Sequence, residues 1–584
     1  MTERATEYIQ SIKAKCRDCY LCLRSCPVKA IRLEPGKGRH ELHTSVIDQR
    51  CILDGRCVQV CPQKAKRPRL NIDRVQAMLA AGDPVAVSLA PSFPSVFAVD
   101  PFLVPAALRR LGFAYVQETA IGAELVAREH QKLAQQSNRT FITSSCPAIV
   151  NLIQCHYPEA RCLLAPIVSP MIAHGRYLKR ILPDHKVVFI GPCIAKMQEA
   201  EAGALAGAVD AVLTFEELAE WLDQQNIVLD ELEPGGFDGI TPHWARLFAV
   251  DGGTLRTAAL DTDALSQQTQ IVSGLDKCKE MIEHLLMQPD ELPRLIEMVA
   301  CEGGCIAGPS NPSLDQALLR RRRVLKYAET RAQAAGSDFE NRALLSEADL
   351  SRSYEDWSIS LPEPDEGTIR AILAKSGKYS AEDELNCRSC GYNSCREKAV
   401  AVFRGWADPE MCLPYMRERA ESMSNKVVSS TPNAIFVVNA DGIVIDINPA
   451  AERVFRTTKA DAINRHVSDF MSPEIFARVM ETGEILRDDV SFPHLNYAAR
   501  RTVFREDSQR VTIALLADCT EEKHHLETVQ KMRWQTLDKA QGVINKQMEV
   551  AQKIAGLLGE TTAETKVLLT QLMRVMRDED SESG

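Results

Sequence analysis

Four cysteines in three separated tracts decide what chemistry this 584-residue chain can do. Cys146 stands in TSSCPA, Cys193 in GPCIAK, and Cys301 with Cys305 in ACEGGCIAG. Zinc ribbons draw their ligands from two close cysteine pairs, and only Cys301 and Cys305 are close here. Each tract follows an apolar run, at residues 141–142, 187–190 and 296–299, and is flanked by glycine, proline or alanine. Small neighbours let backbone approach a bulky group closely. The pattern points to a large cofactor held by thiolates.

Two further cysteine groups flank this one. Cys16, Cys19, Cys22 and Cys26-Pro27 have the spacing of bacterial-type ferredoxins, whose fourth cysteine ligates the other cluster of a pair. A second copy follows at Cys51, Cys57 and Cys61-Pro62, with Asp54 where the second cysteine belongs. The spacing assigns Cys16, Cys19, Cys22 and Cys61 to one [4Fe-4S] cluster. It assigns Cys26, Cys51, Cys57 and Asp54 to the other. A carboxylate is a harder, weaker ligand than a thiolate, so that corner is expected to be labile, giving [3Fe-4S] when its iron leaves. Further on, Cys387, Cys390, Cys395 and Cys412 resemble a small [4Fe-4S] domain found beside hydrogenase-like modules and in corrinoid proteins. Four thiols of this kind also suit zinc.

The elements that must position these groups read as several domains, since the chain is too long for one core. Between residues 77 and 357, strand-like runs at 84–89, 140–143, 187–191 and 210–215 alternate with helical patterns at 104–111 and 216–222. Such alternation predicts an α/β domain with sites at strand ends. The Gly252-Gly253 pair reads as a tight turn. The basic run at 320–323 opens an amphipathic segment expected to wrap helically to Trp357, with its charges on the surface or anchoring the core. The proline- and acid-rich stretch from Leu361 marks a boundary. Residues 432–455 read as strand, turn, strand and helix and resemble a PAS domain; DCTEEK from Asp518 resembles the exit motif into a signalling helix. The PAS ligand is unidentified: His466 and Cys519 are single candidates, with structural roles the plainer reading. In the tail, Leu537, Ala540, Ile544, Ala551, Ile554 and Leu558 recur at helical spacing. Gly559 ends that run, and Thr561 with Glu564 form a capping box that starts a shorter helix to Met576. A dimerisation coil and a hairpin offering an apolar stripe to a partner both remain open. The expected architecture is multi-domain, α/β and α+β. It comprises a two-cluster segment at 1–75, a catalytic domain at 76–360, a small cluster domain at 365–425, a PAS domain at 426–522 and a helical tail at 523–584.

Composition sets the class. A net charge of −10 leaves no surplus of basic surface for nucleic acid. No run of roughly 18 apolar residues appears, so no membrane span is expected. The first residues lack the apolar core of a signal peptide. Nineteen cysteines, most of them clustered, then read as metal ligands in a reducing, cytoplasmic compartment.

The central tracts resemble the signatures of the catalytic domain of iron-only ([FeFe]) hydrogenases, over about residues 84–357. The resemblance implies a [4Fe-4S] cluster on Cys146, Cys193, Cys301 and Cys305. The Cys305 thiolate would bridge to a two-iron unit carrying CO, cyanide and a dithiolate. Lys196 matches the lysine that hydrogen-bonds one cyanide, and Ala90-Pro91 the turn packed near the other. The departures concern protons. Fast hydrogenases have a proton-passing cysteine before the first ligand, and here Ser145 stands there. A thiol titrates near 8.5, whereas a serine hydroxyl is far less acidic. Glu199 matches one glutamate of the proton relay, while Leu133 stands at the position of the other. Gly191 and Val299 replace methionines that usually flank the two-iron unit.

Retained metal ligands, an altered proton route and a PAS domain resemble the sensory hydrogenases. That resemblance implies slow, reversible H2 splitting with electrons passed to about four [4Fe-4S] clusters and the redox state signalled through the PAS domain and tail. Expected partners are H2 and protons, a ferredoxin or other redox carrier, a signalling phosphatase or kinase, and a second copy of the chain. Two alternatives stay open: a ferredoxin-linked catalytic hydrogenase, and a non-catalytic hydrogenase-like iron–sulfur sensor or scaffold.

Overall fold

The strand Val85–Leu89 reads VAVSL and is buried at every position. A strand covered on both faces needs such a run. It lies inside a four-stranded sheet ordered Tyr115–Glu118, Val85–Leu89, Lys186–Gly191, Ala211–Thr214, with every pair parallel. A second parallel sheet is ordered Thr269–Ser273, Leu295–Val299, Phe141–Ile142. The expected strands therefore form, and each cysteine tract of the central segment begins where one of them ends. Parallel sheets gather ligand groups at the carboxyl ends of their strands.

This computed structural model describes residues 7–35, 42–263, 266–288, 293–313, 315–334, 349–506, 510–558 and 562–578. It divides into two compact units, which part between Met416 and Arg417. The small cysteine segment that follows Leu361 belongs to the first unit and packs onto the first cysteine segment. Leu33 N donates to Trp406 O at 2.9 Å, and the Arg50 guanidinium lies 5.3 Å from the Trp406 ring centroid.

In the first cysteine segment the strands Ile31–Pro35 and Leu42–Val46 pair antiparallel, as do Ile9–Ser11 and Lys66–Pro68. Its internal repeat is visible in the hydrogen bonds: Ala30 N donates to Cys26 Sγ, and Ala65 N to Cys61 Sγ, both at 3.2 Å. In the expected helical wrap Ala317–Ala334 is a helix, while residues 349–357 are not helical, with Ile167 bridged to Ser351 and Trp357 N donating to Gln154 O at 3.0 Å. Arg320 and Arg323 anchor that helix through Ile306 O and Asp315.

The second unit holds a five-stranded antiparallel sheet, ordered Val444–Ile447, Ala434–Asn439, Val511–Asp518, Tyr497–Glu506, Leu486–Phe492. Phe436, Phe455, Phe470 and Phe492 pack together in its interior. The helices Thr520–Leu558 and Thr562–Asp578 follow. Gly559 and Thr561, expected to break and restart the tail, lie outside the described residues. Among the described residues, no helix is long and apolar enough to cross a membrane.

Candidate metal centres

Three elements deliver the four central cysteines. Cys146 caps the helix Pro147–His156, Cys193 follows Lys186–Gly191, and Cys301 with Cys305 follow Leu295–Val299. All four line one cavity of about 100 Å³, together with Ala90, Pro91, Ser145 and Lys196. Burial pushes Cys193 up to about 11 and Cys305 up to about 12, and each feels the charge of Cys146 as well. Cys301 is raised by burial and by the other three. Cys305 is enclosed by protein, and the surface it exposes belongs to this cavity. Four thiols in one buried cavity disfavour one another's ionisation, and a shared positive charge would reverse that. The donor set fits a metal cluster.

Polar atoms in the same wall fit a further polar group. Ser92 Oγ and Ser145 Oγ are buried without hydrogen-bond partners among the described residues, and both residues line the cavity. Buried polar groups are seldom left unpaired. Ser92, next to Ala90-Pro91, was missed in the sequence because a lone serine carries no spacing signal.

Lys196 points into this wall, its Nζ 3.4 Å from Ser145 O and 2.7 Å from Glu199 Oε2. Ser169 Oγ donates to the same carboxylate at 2.8 Å, and Arg352 Nη1 to Glu199 Oε1 at 2.7 Å. Burial alone would raise the Glu199 carboxyl, but Lys196 and Arg352 together hold it below the ordinary value. The relay expected from Ser145 to Glu199 is therefore not joined: the serine hydroxyl makes no bond, and the carboxylate is occupied by two cations. Arg352 was not foreseen, since it comes from the non-helical stretch at 349–357. Leu133 packs against the core rather than in the cavity. Val299 lines the cavity, whereas a Cβ on Gly191 would meet the Phe189 ring at 2.6 Å. Phe189 thus takes the room a side chain at 191 would need.

The Asp54 carboxylate acts electrostatically on three thiols, Cys26, Cys51 and Cys57. Burial, then the Asp54 carboxylate, push Cys26 up to about 11, and the same two causes raise Cys51. Cys57 is raised by burial, Cys51 and Asp54. Asp54 itself is pushed up to about 6 by burial, against Arg56, and its Oδ2 has no hydrogen-bond partner among the described residues. It also lines the cavity of the four central cysteines, so the two sites adjoin. In the other half, Cys16 and Cys22 meet one hydroxyl, Thr44 Oγ1, at 3.7 and 3.5 Å. Cys19 is exposed and Cys61 half-buried. Donor atoms of Cys16, Asp18 and His43 lie within 4.8 Å of one another, a second set sharing Cys16.

Cys387, Cys390, Cys395 and Cys412 line a separate recess with Lys398. Lys398 is buried and donates to Pro409 O at 2.7 Å. Cys412 leads directly into the helix Leu413–Ser430. In the second unit, His466 Nδ1 accepts from Ser468 N at 3.2 Å, and Cys519 N donates to Ala498 O at 2.9 Å. Gly252 has φ +77°, as the tight turn requires.

Residues 83–309 match the profile of the iron-only hydrogenase large subunit, C-terminal domain. The chain carries an iron-only hydrogenase domain. Ahead of it, residues 15–65 match a 4Fe-4S dicluster domain, and beyond it residues 383–414 match an Fe-S cluster segment and 423–491 the PAS fold. Among relatives, the NADP-reducing hydrogenase subunit HndD of Solidesulfovibrio fructosivorans is 28% identical over 367 residues, covering 52% of this chain and 63% of that one. The chain thus spans less than two thirds of that relative's length. The periplasmic [Fe] hydrogenase large subunit of Nitratidesulfovibrio vulgaris is 26% identical over 364 residues, 52% of this chain and 86% of the other. Apo [FeFe]-hydrogenase HydA1 from Chlamydomonas reinhardtii is 21% identical, with a TM-score of 0.41, over 50% of this chain and all of its own.

Proposed function

We propose that the hydrogenase domain splits H2 slowly and reversibly, and that its redox state is signalled through the PAS domain and helical tail. The carrying observation is the cavity in which Cys146, Cys193, Cys301 and Cys305 face Lys196 and the unpaired hydroxyls of Ser92 and Ser145. In this reading Cys146, Cys193, Cys301 and Cys305 would hold a [4Fe-4S] cluster, and Cys305 would also help to hold a two-iron unit. That unit, when bound, supplies an open metal site for H2. The chain does the rest. Lys196, fixed by Glu199, presents a compact cation to anionic ligands. Burial excludes water and strengthens that interaction. Ala90 and Pro91 close the wall opposite.

The Asp54 site, which adjoins the cavity, the Cys16, Cys19, Cys22 and Cys61 site and the Cys387–Cys412 recess would hold clusters that supply electron carriers. About four cubane sites result, in a cytoplasmic protein that acts with a ferredoxin or similar carrier, a second copy of itself, and a signalling phosphatase or kinase. Cys412 suits the last electron site, since it stands at the start of the helix leading towards the PAS unit.

An infrared spectrum of the chain, matured with its two-iron cofactor, tests the reading. CO and cyanide bands are expected in the parent and in Cys278→Ala, whose sulfur is buried against Val272 O and Val299 O. They should be lost in Cys305→Ala. A parent without such bands would leave a non-catalytic cluster protein.

A further inference from the structure

The cavity wall contains a second set of polar groups. Thr119 lines the cavity, and its Oγ1 lies 2.7 Å from Ser88 Oγ. Ser88 Oγ lies 2.7 Å from His174 Nδ1, and His174 Nε2 lies 2.9 Å from Gln117 Oε1. Thr119 is 2% exposed, Ser88 and His174 0% and Gln117 1%. This is a continuous hydrogen-bonded chain through the protein interior. It starts in the strands Val85–Leu89 and Tyr115–Glu118 and crosses to the helix Pro170–Ile181.

Its polarity follows from the donor inventory. An amide oxygen only accepts, so His174 Nε2 carries the hydrogen and Nδ1 is the acceptor. Ser88 spends its one proton on Nδ1, so it must accept from the Thr119 hydroxyl. Thr119 is left with open lone pairs, an acceptor at the cavity wall.

We propose that Thr119, Ser88 and His174 form the proton path of this domain, with His174 as the acceptor, in place of a route through Ser145 and Glu199. The inference rests on H2 splitting in the cavity, as proposed above. A proton arriving at Thr119 Oγ1 moves Thr119's own proton to Ser88, and Ser88's own to His174 Nδ1. The imidazolium then donates through Nε2 to Gln117 and through Nδ1 to Ser88. No electrons move; the imidazolium sheds its Nε2 proton past Gln117 to solvent, the neutral ring regains its first tautomer, and the reverse sequence brings a solvent proton in. Burial pushes His174 down to about 3, so it rests neutral with Nδ1 accepting from Ser88, and the imidazolium is a short-lived carrier. Beyond His174 the chain nears the surface. A Cβ on the exposed Gly239 would stand 2.5 Å from Gln117 Nε2 and 2.4 Å from Tyr115 Oη. The Gln117 amide nitrogen is itself buried without a hydrogen-bond partner among the described residues.

The test uses the full chain with its clusters and two-iron cofactor installed. H2/D2O exchange is measured per cofactor, counted from the CO and cyanide bands. Infrared difference spectra on admitting H2 are recorded with 15N-labelled histidine. Ser88→Ala and His174→Gln should each lower exchange roughly 10- to 100-fold, at the low end of what proton-transfer groups contribute. Ser88→Thr, which keeps a hydroxyl, should restore it to within about threefold of the parent. The parent should show 15N-sensitive bands of a neutral imidazole that shift on admission of H2 and that His174→Gln lacks. Unchanged cofactor bands in the variants set aside a merely structural defect. Exchange within twofold of the parent in both Ser88→Ala and His174→Gln would overturn the path alone. A parent with cofactor bands and no exchange at all would overturn the path and the functional reading together.

Discussion

Glu199 Oε2 accepts from Lys196 Nζ at 2.7 Å, three residues along one helix, with the carboxylate side chain 1% exposed. Arg352 closes on the other oxygen at the same distance. A carboxylate between two cations is a poor place to put a proton. Its evident work is to hold Lys196 against the cavity. Glu199→Gln should therefore destabilise the first unit, because two buried cations lose their counter-charge. Breaking a buried pair from one side typically costs about 3–5 kcal/mol. Thermal melting of the full chain with intact clusters checks this, and a loss below about 1 kcal/mol would show that the carboxylate is no anchor.

Asp54→Cys should convert any [3Fe-4S] signal into [4Fe-4S], since a thiolate holds iron in a sulfide cluster better than a carboxylate does. Electron paramagnetic resonance and iron analysis read this directly, with one more iron per chain expected. Identical spectra, with two intact cubanes in this segment whichever residue stands at 54, would mean that Asp54 is not a weak corner.

Glu297 lines the cavity from the strand Leu295–Val299, and burial pushes its carboxyl up to about 7. Its Oε2 accepts from Leu255 N at 3.0 Å. The ordinary value is 4.5. Between 4.5 and 7 the folded chain holds the proton more tightly than the unfolded chain, so stability falls as pH rises through that window and stays lower above it. Glu297→Gln keeps the acceptor oxygen and removes the charge. Melting temperatures of parent and variant should lie close at pH 5 and diverge in favour of the variant at pH 8. A parent that gains stability over the parent's pH 5 value on going to pH 8, relative to the variant, would reverse the sign and refute the assignment.

Local spacing made the metal ligands legible. The ferredoxin-type repeat and the cysteine tracts each lie within a few residues, and their ends coincide with strands that the apolar runs announce. The Asp54 substitution was visible for the same reason. What the sequence withheld is non-local. Arg352 reaches Glu199 from 153 positions away, and His174 reaches Ser88 from 86. Neither histidine nor arginine sits in a recognisable pattern, so only folding shows that one occupies the expected relay carboxylate and the other completes a different chain. Residues 349–357 depart from the helical expectation because Ser351 bridges to Ile167 and Arg352 bonds Glu199, contacts no local pattern announces.

Ser145→Cys tests how the two routes relate. Ser145 Oγ faces the cavity with no partner, so a thiol there adds a group that can give and recover a proton near neutrality. It still lacks a link onward, because Glu199 is occupied by Lys196 and Arg352. The gain in H2 turnover should therefore be about tenfold or less, well short of the upper range for general acid–base groups. Two routes in parallel share the load, so the fold gain should be larger in a Ser88→Ala background, where the histidine path is cut. Two groups on one path would behave oppositely, the thiol bringing nothing once Ser88 is lost. The four-variant cycle of parent, Ser145→Cys, Ser88→Ala and the double variant separates these cases from turnover alone. A gain that vanishes in the double variant would put Ser145 and Ser88 on a single route, and the parallel arrangement would be wrong.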